Sequence, residues 1–342
     1  MKKYFLLGSI IFTCCCSFAQ NGSNALLWRI SGKGLNEHSY LFGTIHLAQK
    51  KFVVYSDSVY AAIQNTNILY NELDMLDLFY FRDTALQNFF SEKGKYFLEI
   101  QGSDKWKRLI DRINQKYDAR LSYDKLEDFV SFGQKLQNSL YQPEKGVQAP
   151  DLMLAQHAAS LGKETAGLET YLLQFNMIYE ILDARLEDTT MDMGDEAASV
   201  DQMKRFYVVE QLDSITKIVE KINPGYREIV FDKRNRTMAD SIEKHSIAGP
   251  CFFAIGCGHL GGSAGVIELL RKKGFTLTPV HSENKISMIV INNMIKMSKK
   301  NKAKSKDDED VKIDVTDAPA VPKQEPPKVK MKPAPVKPKT KN

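Results

Sequence analysis

The sequence predicts an α/β fold, in which two strand–helix–strand units form a small, mostly parallel sheet and flank a large helical insert. First, short apolar runs of strand length occur at 25–73 and again at 251–280. Second, the long region between them shows apolar residues at helical spacing. Third, both strand-rich regions contain the motif Gly-x-x-His-Leu directly after an apolar run.

The first unit begins with two predicted strands at 25–30 and 39–42, separated by the turn sequence Ser-Gly-Lys-Gly. Gly-Thr-Ile-His-Leu follows at 43–47. Ser56 is expected to cap a helix, and a strand-like run at 67–73 completes the unit. Because a helix connects the strands on either side of it, we expect those strands to be parallel.

The insert is predicted to be mostly helical. Residues 76–160 include apolar side chains at helical spacing, and Asp151 is expected to cap the last helix of this stretch. A short strand-like run at 165–168 leads to Glu169. Residues 170–247 return to a helical pattern, in which Pro224 marks a new start.

The second unit repeats the order of the first. A fully apolar run at 251–255 predicts a strand buried on both faces, and Gly-Cys-Gly-His-Leu-Gly-Gly follows at 256–262. Ser263 is expected to cap a helix over 264–273, and residues 275–280 form the last predicted strand. The similarity of the two units suggests an ancient duplication around the insert.

The two ends of the chain are predicted to lie outside the folded domain, which we assign to 20–295. Residues 1–19 have the basic start, apolar stretch and small-x-small end of a secretory signal peptide. We therefore expect export to the periplasm, the cell envelope or the medium. An uncleaved anchor and a lipoprotein attached through a cysteine at 14–16 remain alternatives.

Residues 296–342 form a predicted disordered tail, because lysine and proline dominate it. The tail has 14 lysines and 7 acidic residues, a net charge of +7, whereas the whole chain has +5. Residues 1–295 are therefore mildly acidic, at −2, which argues against nucleic acid as a partner. The tail could bind an anionic envelope surface, or be a solvated extension without a specific partner.

Four polar residues follow the ends of apolar runs: His46, Glu72, Glu169 and His259. In a parallel sheet the carboxyl ends of the strands share one edge, so these side chains are expected to meet there. Two imidazoles with carboxylates suit a divalent transition metal such as Mn, Co or Zn. The alternatives are ordinary core histidines, a solvent-facing Glu72 and a helix-capping Glu169.

Two further features of the sequence have competing interpretations. Arg234 is a candidate for stabilising an oxyanion, but its spacing also fits a solvated helix face. Gly-Gly-Ser-Ala-Gly at 261–265 fits the Gly-x-Ser-x-Gly motif of serine hydrolases. A nucleophilic serine stands directly after its strand, whereas Ser263 is several residues further on, so we favour a capping role.

Several segments together resemble the TraB/GumN family, which is related to the animal Tiki proteins and to erythromycin-esterase-like proteins. They cover about residues 25–285 in the family's order. The matching segments are Leu-Phe-Gly-Thr-Ile-His-Leu at 41–47, Asn-Glu-Leu at 71–73, Gly-Leu-Glu-Thr at 167–170, Arg-Asn-Arg-Thr-Met-Ala at 234–239 and Ile-Gly-Cys-Gly-His-Leu-Gly-Gly at 255–262.

The resemblance implies an α/β core with paired Gly-x-x-His motifs. It also implies a metal-dependent protease activity, since Tiki proteins cleave secreted signalling proteins. By position, His46, His259 and Glu72 match the family's site, and Glu169 and Arg234 are supporting candidates. Other relatives include a pheromone shutdown protein and haem-binding proteins of a wider superfamily.

The sequence therefore predicts an exported metallohydrolase that acts on a peptide or protein substrate. His46, His259 and Glu72 are expected to hold a metal that activates water. Glu72 or Glu169 would transfer protons, and Arg234 would stabilise the oxyanion. The alternative is a non-catalytic envelope protein of the same fold that binds a peptide or haem.

Overall fold

The computed structural model describes residues 24–77, 79–187, 196–294 and 297. The chain divides into two units, Met1–Lys296 and Met297–Asn342. All of the described residues except Met297 belong to the first unit. The predicted signal peptide and, apart from Met297, the predicted tail lie outside the described residues, so both assignments stay predictions.

The main strands and helices follow the predicted order, and two short strands at 54–56 and 285–287 are additional. The strands are β1 Leu27–Gly32, β2 Ser39–Thr44, β3 Val54–Ser56, β4 Ile68–Asn71, β5 Glu164–Gly167, β6 Cys251–Gly256, β7 Phe275–Val280 and β8 Lys285–Ser287. The helices are α1 Asp57–Gln64, α2 Thr84–Ile100, α3 Asp104–Tyr117, α4 Leu126–Tyr141, α5 Pro150–Ser160, α6 Tyr171–Glu187, α7 Glu196–Val208, α8 Leu212–Glu220, α9 Pro224–Arg227, α10 Lys233–Ala248 and α11 Val266–Lys272.

The main sheet has six strands in the order β5-β4-β6-β2-β1-β7. β5, β4, β6 and β2 are parallel neighbours, whereas β1 is antiparallel to both β2 and β7. The prediction of a mostly parallel sheet with many helices is therefore confirmed. A separate pair, β3 and β8, is antiparallel.

The two strand–helix–strand units interlock in the sheet. β6, which belongs to the second unit, lies between β2 and β4 of the first unit. The two strands that a helix connects in each unit, β2 and β4 in the first and β6 and β7 in the second, run in the same direction but are not neighbours. As a result the two strands that precede the Gly-x-x-His motifs pair directly, with Gly43 opposite Ile255 and Thr44 opposite Gly256.

The core lies on both faces of this sheet. Every residue of β6 is buried, and its successive side chains enter different hydrophobic clusters, Phe252 on one face and Phe253 on the other. The first cluster includes residues of α1 and α5, and the second includes residues of α10 and α11. Such two-sided burial explains why β6 is apolar throughout.

The helical insert has a smaller core of its own. Trp106, Leu109, Ile110 and Ile113 of α3 are buried together with Leu186 of α6. Ser103 accepts a hydrogen bond from the backbone N–H of Trp106 at 3.2 Å and so caps α3. The helical spacing in this region is thus explained by packing.

The expected helix caps are wrong in two places. α11 begins at Val266 with Gly265 at the cap position, so Ser263 is not its cap. The chain first makes a glycine turn, in which Gly265 lies so close to the Gly261 carbonyl that an added Cβ would be 2.2 Å from its oxygen. Asp151 lies inside the first turn of α5, and its carboxylate bonds to side chains outside the helix.

Among the described residues, no helix has both the length and the apolar character needed to cross a membrane. Cys251 and Cys257 are both buried and both free, so these two cysteines do not pair.

Candidate metal centre

The five site residues predicted from the sequence lie together at one edge of the sheet. His46 follows β2, Glu72 follows β4, Glu169 follows β5 and His259 ends a short 3-10 helix after β6. Because these strands are parallel neighbours, their carboxyl ends place the four side chains side by side. Arg234, near the start of α10, reaches the same point.

Glu72 is the central residue of the group. Its Oε1 lies 3.7 Å from Nε2 of His46 and 3.7 Å from Nε2 of His259. The two imidazole nitrogens are therefore at most 7.4 Å apart, twice that distance. Oε1 also accepts a hydrogen bond from the backbone N–H of Gly256 at 2.7 Å. Glu72 is buried, so the structure excludes the solvent-facing alternative.

The tautomer of His259 follows from its neighbours. Its Nδ1 is 2.6 Å from Oδ1 of Asn235, whose Nδ2 donates to the backbone carbonyl of Ala264 at 2.9 Å. That second bond fixes which end of the amide is the oxygen, so Nδ1 of His259 must be the donor. The lone pair of a neutral His259 is consequently on Nε2, the nitrogen that faces Glu72.

His46 has the same arrangement with a different partner. Its Nδ1 lies 2.7 Å from Oδ2 of Asp151, and Thr44 donates to Oδ1 of the same carboxylate at 2.8 Å. An ionised carboxylate only accepts hydrogen bonds, so Nδ1 of His46 carries a proton and its Nε2 is directed toward Glu72. Both imidazoles therefore present the same nitrogen to the same oxygen.

Arg234 holds the two glutamates in place. Its guanidinium donates to Oε2 of Glu72 at 2.7 Å and to both oxygens of Glu169, at 2.5 to 3.1 Å. Gln174 donates to the same Oε2 atoms. Arg234 is buried, so the solvated-face alternative is excluded, and both oxygens of Glu169 are occupied by hydrogen bonds rather than by a helix cap.

The protonation of the site residues is strongly shifted by their surroundings. Burial lowers the pKa of His259 to about 4, so this ring is neutral near pH 7. The charge of Asp151 holds the pKa of His46 well above its ordinary value. Burial opposes ionisation of Glu72, but the neighbouring imidazoles and Arg234 hold its pKa well below its ordinary value.

The imidazole nitrogens of His46 and His259 and the carboxylate of Glu72 are donor atoms of the kind that divalent transition metals bind. A Cβ added to Gly256 would lie 3.1 Å from Oε1 of Glu72, 3.3 Å from Nε2 of His46 and 3.4 Å from Cδ2 of His259, so the glycine leaves open the space these groups share. Within the described ranges, however, no three His, Cys, Asp or Glu side chains are already arranged as a ligand cluster. Arg234 Nη1 is also 3.3 Å from Nε2 of His259.

The sequence did not point to Asp151, Asn235 or Gln174 as parts of this site. The position of Asp151 at the start of α5 suggests a helix cap and gives no sign of its contact with His46. Asn235 lies beside Arg234 in the sequence, but an asparagine in a helix has no spacing signal of its own. Arg236, two residues further on, pairs instead with exposed Glu228.

Comparison with known proteins identifies the family. A family model described as the TraB/PrgY/gumN family matches residues 26–279, which is most of the chain and includes all five predicted site residues. The chain belongs to the TraB/PrgY/gumN family. No solved structure matches it.

One curated relative of this family member is the "Metalloprotease TIKI2" of Danio rerio. The two sequences are 24% identical over 318 residues, a match that covers 75% of this chain and 61% of the relative. The chain thus spans less than two thirds of that relative's length.

Proposed function

We propose that this protein is an exported, metal-dependent hydrolase that cleaves peptide bonds. The observation that supports the proposal best is that Nε2 of His46 and Nε2 of His259, each with Nδ1 engaged elsewhere, face the same oxygen of Glu72 at 3.7 Å. Membership of the family and the similarity to a metalloprotease support a hydrolase in general. The metal and the peptide substrate belong to the proposal.

His46, His259 and Glu72 are the residues that would hold the metal. A bound divalent cation would lower the pKa of a water molecule and polarise a carbonyl group. Of the two carboxylates predicted to transfer protons, Glu72 suits the role better, because its Oε1 lies 3.7 Å from both imidazoles, whereas Glu169 contacts Arg234 and Gln174. Arg234 would stabilise the negative charge on the carbonyl oxygen, and Glu169 would hold Arg234 in position.

Metal analysis of the purified protein tests the metal site. We expect the protein without residues 1–19 to retain a divalent transition metal, and His46→Ala and His259→Ala to lose most of it. The matched control is His38→Ala, because His38 is exposed and belongs to the β1–β2 connection. Equal metal content in all four proteins would contradict the proposal.

Cleavage of a peptide library tests the hydrolase activity. We expect the metal-loaded protein to cut peptides, a chelator to abolish cutting, and the added metal to restore it. His38→Ala should behave like the unchanged protein. A metal-loaded protein that binds peptides without cutting them would instead support the non-catalytic peptide-binding alternative, and tight haem binding would support the haem-binding one.

Export is a separate part of the proposal and rests on the sequence of residues 1–19. Removal of these residues by a signal peptidase would leave Gln20 as the first residue. Determination of the mature N-terminus in an envelope fraction tests this assignment. A start at Met1 in the cytoplasm would contradict it, and a lipid-modified cysteine at 14–16 would support the lipoprotein alternative.

A further inference from the structure

We infer that Asp151 is a positioning residue that orients His46 for metal binding. The inference concerns a residue outside the five predicted ones, and its metal-binding part rests on the proposed function. Asp151 comes from α5, an element that contributes no ligand itself. Its role would be to keep the proton of His46 on Nδ1 and the lone pair on Nε2.

The carboxylate of Asp151 is itself held rigidly. Asp151 is buried, Thr44 donates to its Oδ1 at 2.8 Å, and Asn71 donates to its backbone carbonyl at 2.9 Å. Thr44 and Asn71 are the last residues of β2 and β4. The sheet edge therefore holds the Asp151 carboxylate in place. Its Oδ2 accepts from Nδ1 of His46 at 2.7 Å and so orients that ring.

His46 needs such a partner more than His259 does. The His46 side chain is 56% exposed, whereas that of His259 is 6% exposed and lies against the ring of Phe231. Packing therefore limits the rotation of His259 but leaves His46 largely free. The hydrogen bond to Asp151 is consequently the main contact that orients the more exposed of the two imidazoles.

The first test reads the tautomer of His46 in metal-free protein by ¹⁵N NMR, at a pH high enough to make the ring neutral. We expect Nδ1–H in the unchanged protein and in Asp151→Asn, because the amide oxygen is still an acceptor. Asp151→Ala should shift the ring toward Nε2–H, since no acceptor remains at Nδ1. An unchanged tautomer in Asp151→Ala would overturn the inference.

The second test measures the affinity for Zn²⁺ by titration calorimetry. We expect Asp151→Ala to bind Zn²⁺ about 10- to 100-fold more weakly. Asp151→Asn should lose less affinity than Asp151→Ala, because its amide oxygen still accepts the hydrogen bond. It should lose some affinity, because a neutral acceptor makes a weaker hydrogen bond than a carboxylate. Asp104→Asn is the matched control, since the Asp104 side chain is 87% exposed at the start of α3. Affinity in Asp151→Ala within about twofold of the control would overturn the inference.

The two measurements separate this inference from the proposed function. If the unchanged protein binds no Zn²⁺ while Asp151→Ala still shifts the tautomer, the metal proposal fails and the orienting role stands. If Zn²⁺ binds but the tautomer does not depend on Asp151, the inference fails alone. Should Asp151→Ala not fold, Asp151→Leu decides, because its side chain has a similar size and accepts no hydrogen bond; an unchanged His46 tautomer in that variant would overturn the inference.

Discussion

At the scale of single residues, Arg234 explains how two glutamates can be buried side by side. Glu72 and Glu169 are both buried, and both accept hydrogen bonds from the same guanidinium. Two carboxylates in a dry site would otherwise take up protons, because their charges repel and neither is solvated. Burial would lower the pKa of Arg234, but the hydrogen bonds and charges of both glutamates raise it above its ordinary value.

We predict that Arg234→Ala destabilises the fold far more than Arg236→Ala does. The first change leaves two buried carboxylates without their cation, which typically costs about 3–5 kcal/mol. Arg236 pairs with Glu228 in solvent, where such pairs contribute less than about 1 kcal/mol. Urea unfolding measures both free energies. Equal losses in the two variants would show that Arg234 does not stabilise the buried glutamates.

A second prediction concerns His157, which is buried in α5 and has an Nδ1 without a hydrogen-bond partner among the described residues. Burial lowers its pKa, so the unfolded chain takes up a proton at a higher pH than the folded protein does. The contribution of His157 to the free energy of unfolding should therefore fall as the pH drops below about 6.5.

Replacement of His157 by phenylalanine should reduce this acid sensitivity. The comparison is the loss in unfolding free energy between pH 7 and pH 5, measured by urea denaturation for both proteins. His281→Phe, at an exposed position, serves as the control. A loss in His157→Phe as large as that of the unchanged protein would show that His157 does not contribute to it.

At the scale of elements, the end of β6 forms the floor of the candidate site. Gly256 donates its backbone N–H to Glu72 and has no side chain to fill the space between the two imidazoles. The neighbouring strand β2 ends opposite it at Thr44, which holds Asp151. One pair of parallel strands thus positions residues on both sides of the centre.

We predict opposite effects for alanine at two glycines. In Gly256→Ala the new methyl group would press on Glu72 and His46, so the protein should lose about 1–3 kcal/mol of stability and bind Zn²⁺ more weakly. In Gly94→Ala, within α2, nothing lies within 4 Å, so the better helix former should add about 0.5–1 kcal/mol. Unchanged Zn²⁺ affinity in Gly256→Ala would argue against metal binding at this point.

The same scale shows where sequence patterns succeed and fail. Sequence patterns could predict the buried strand after residue 250, which is apolar throughout, and the helix over 104–117, whose apolar residues recur at helical spacing. They could not predict the roles of Ser263 and Asp151, because a polar side chain near a first turn can form its hydrogen bonds with several different groups. The glycine turn at 261–265 keeps Ser263 out of the cap position, and the nearby His46 bonds to the carboxylate of Asp151.

At the scale of the whole molecule, the two strand–helix–strand units build one sheet and not two. β6 inserts between β2 and β4, and its pairing with β2 places the ends of the two motif strands side by side. The site is thus a property of the strand order.

The predicted tail offers a test at this scale. We expect a chain without residues 296–342 to unfold at the same temperature, because the described core lies before this segment. Since the tail has a net charge of +7, its removal should abolish salt-sensitive binding to anionic vesicles. Vesicle sedimentation at low and high salt measures this. Equal binding with and without the tail would favour the solvated-extension alternative.

The sequence by itself predicted the fold class, the order of the main elements and five candidate site residues, His46, Glu72, Glu169, Arg234 and His259. The strands, helices and paired histidines follow from local patterns, since apolar periodicity and a repeated motif are written in neighbouring positions, whereas Arg234 was supported by the resemblance to the TraB/GumN family. The tertiary structure alone decided that β6 separates β2 from β4, and that Asp151 and Asn235 support the two imidazoles. The contacts of Asp151 and Asn235 with the imidazoles join residues 105 and 24 positions apart, and no local pattern encodes such pairs.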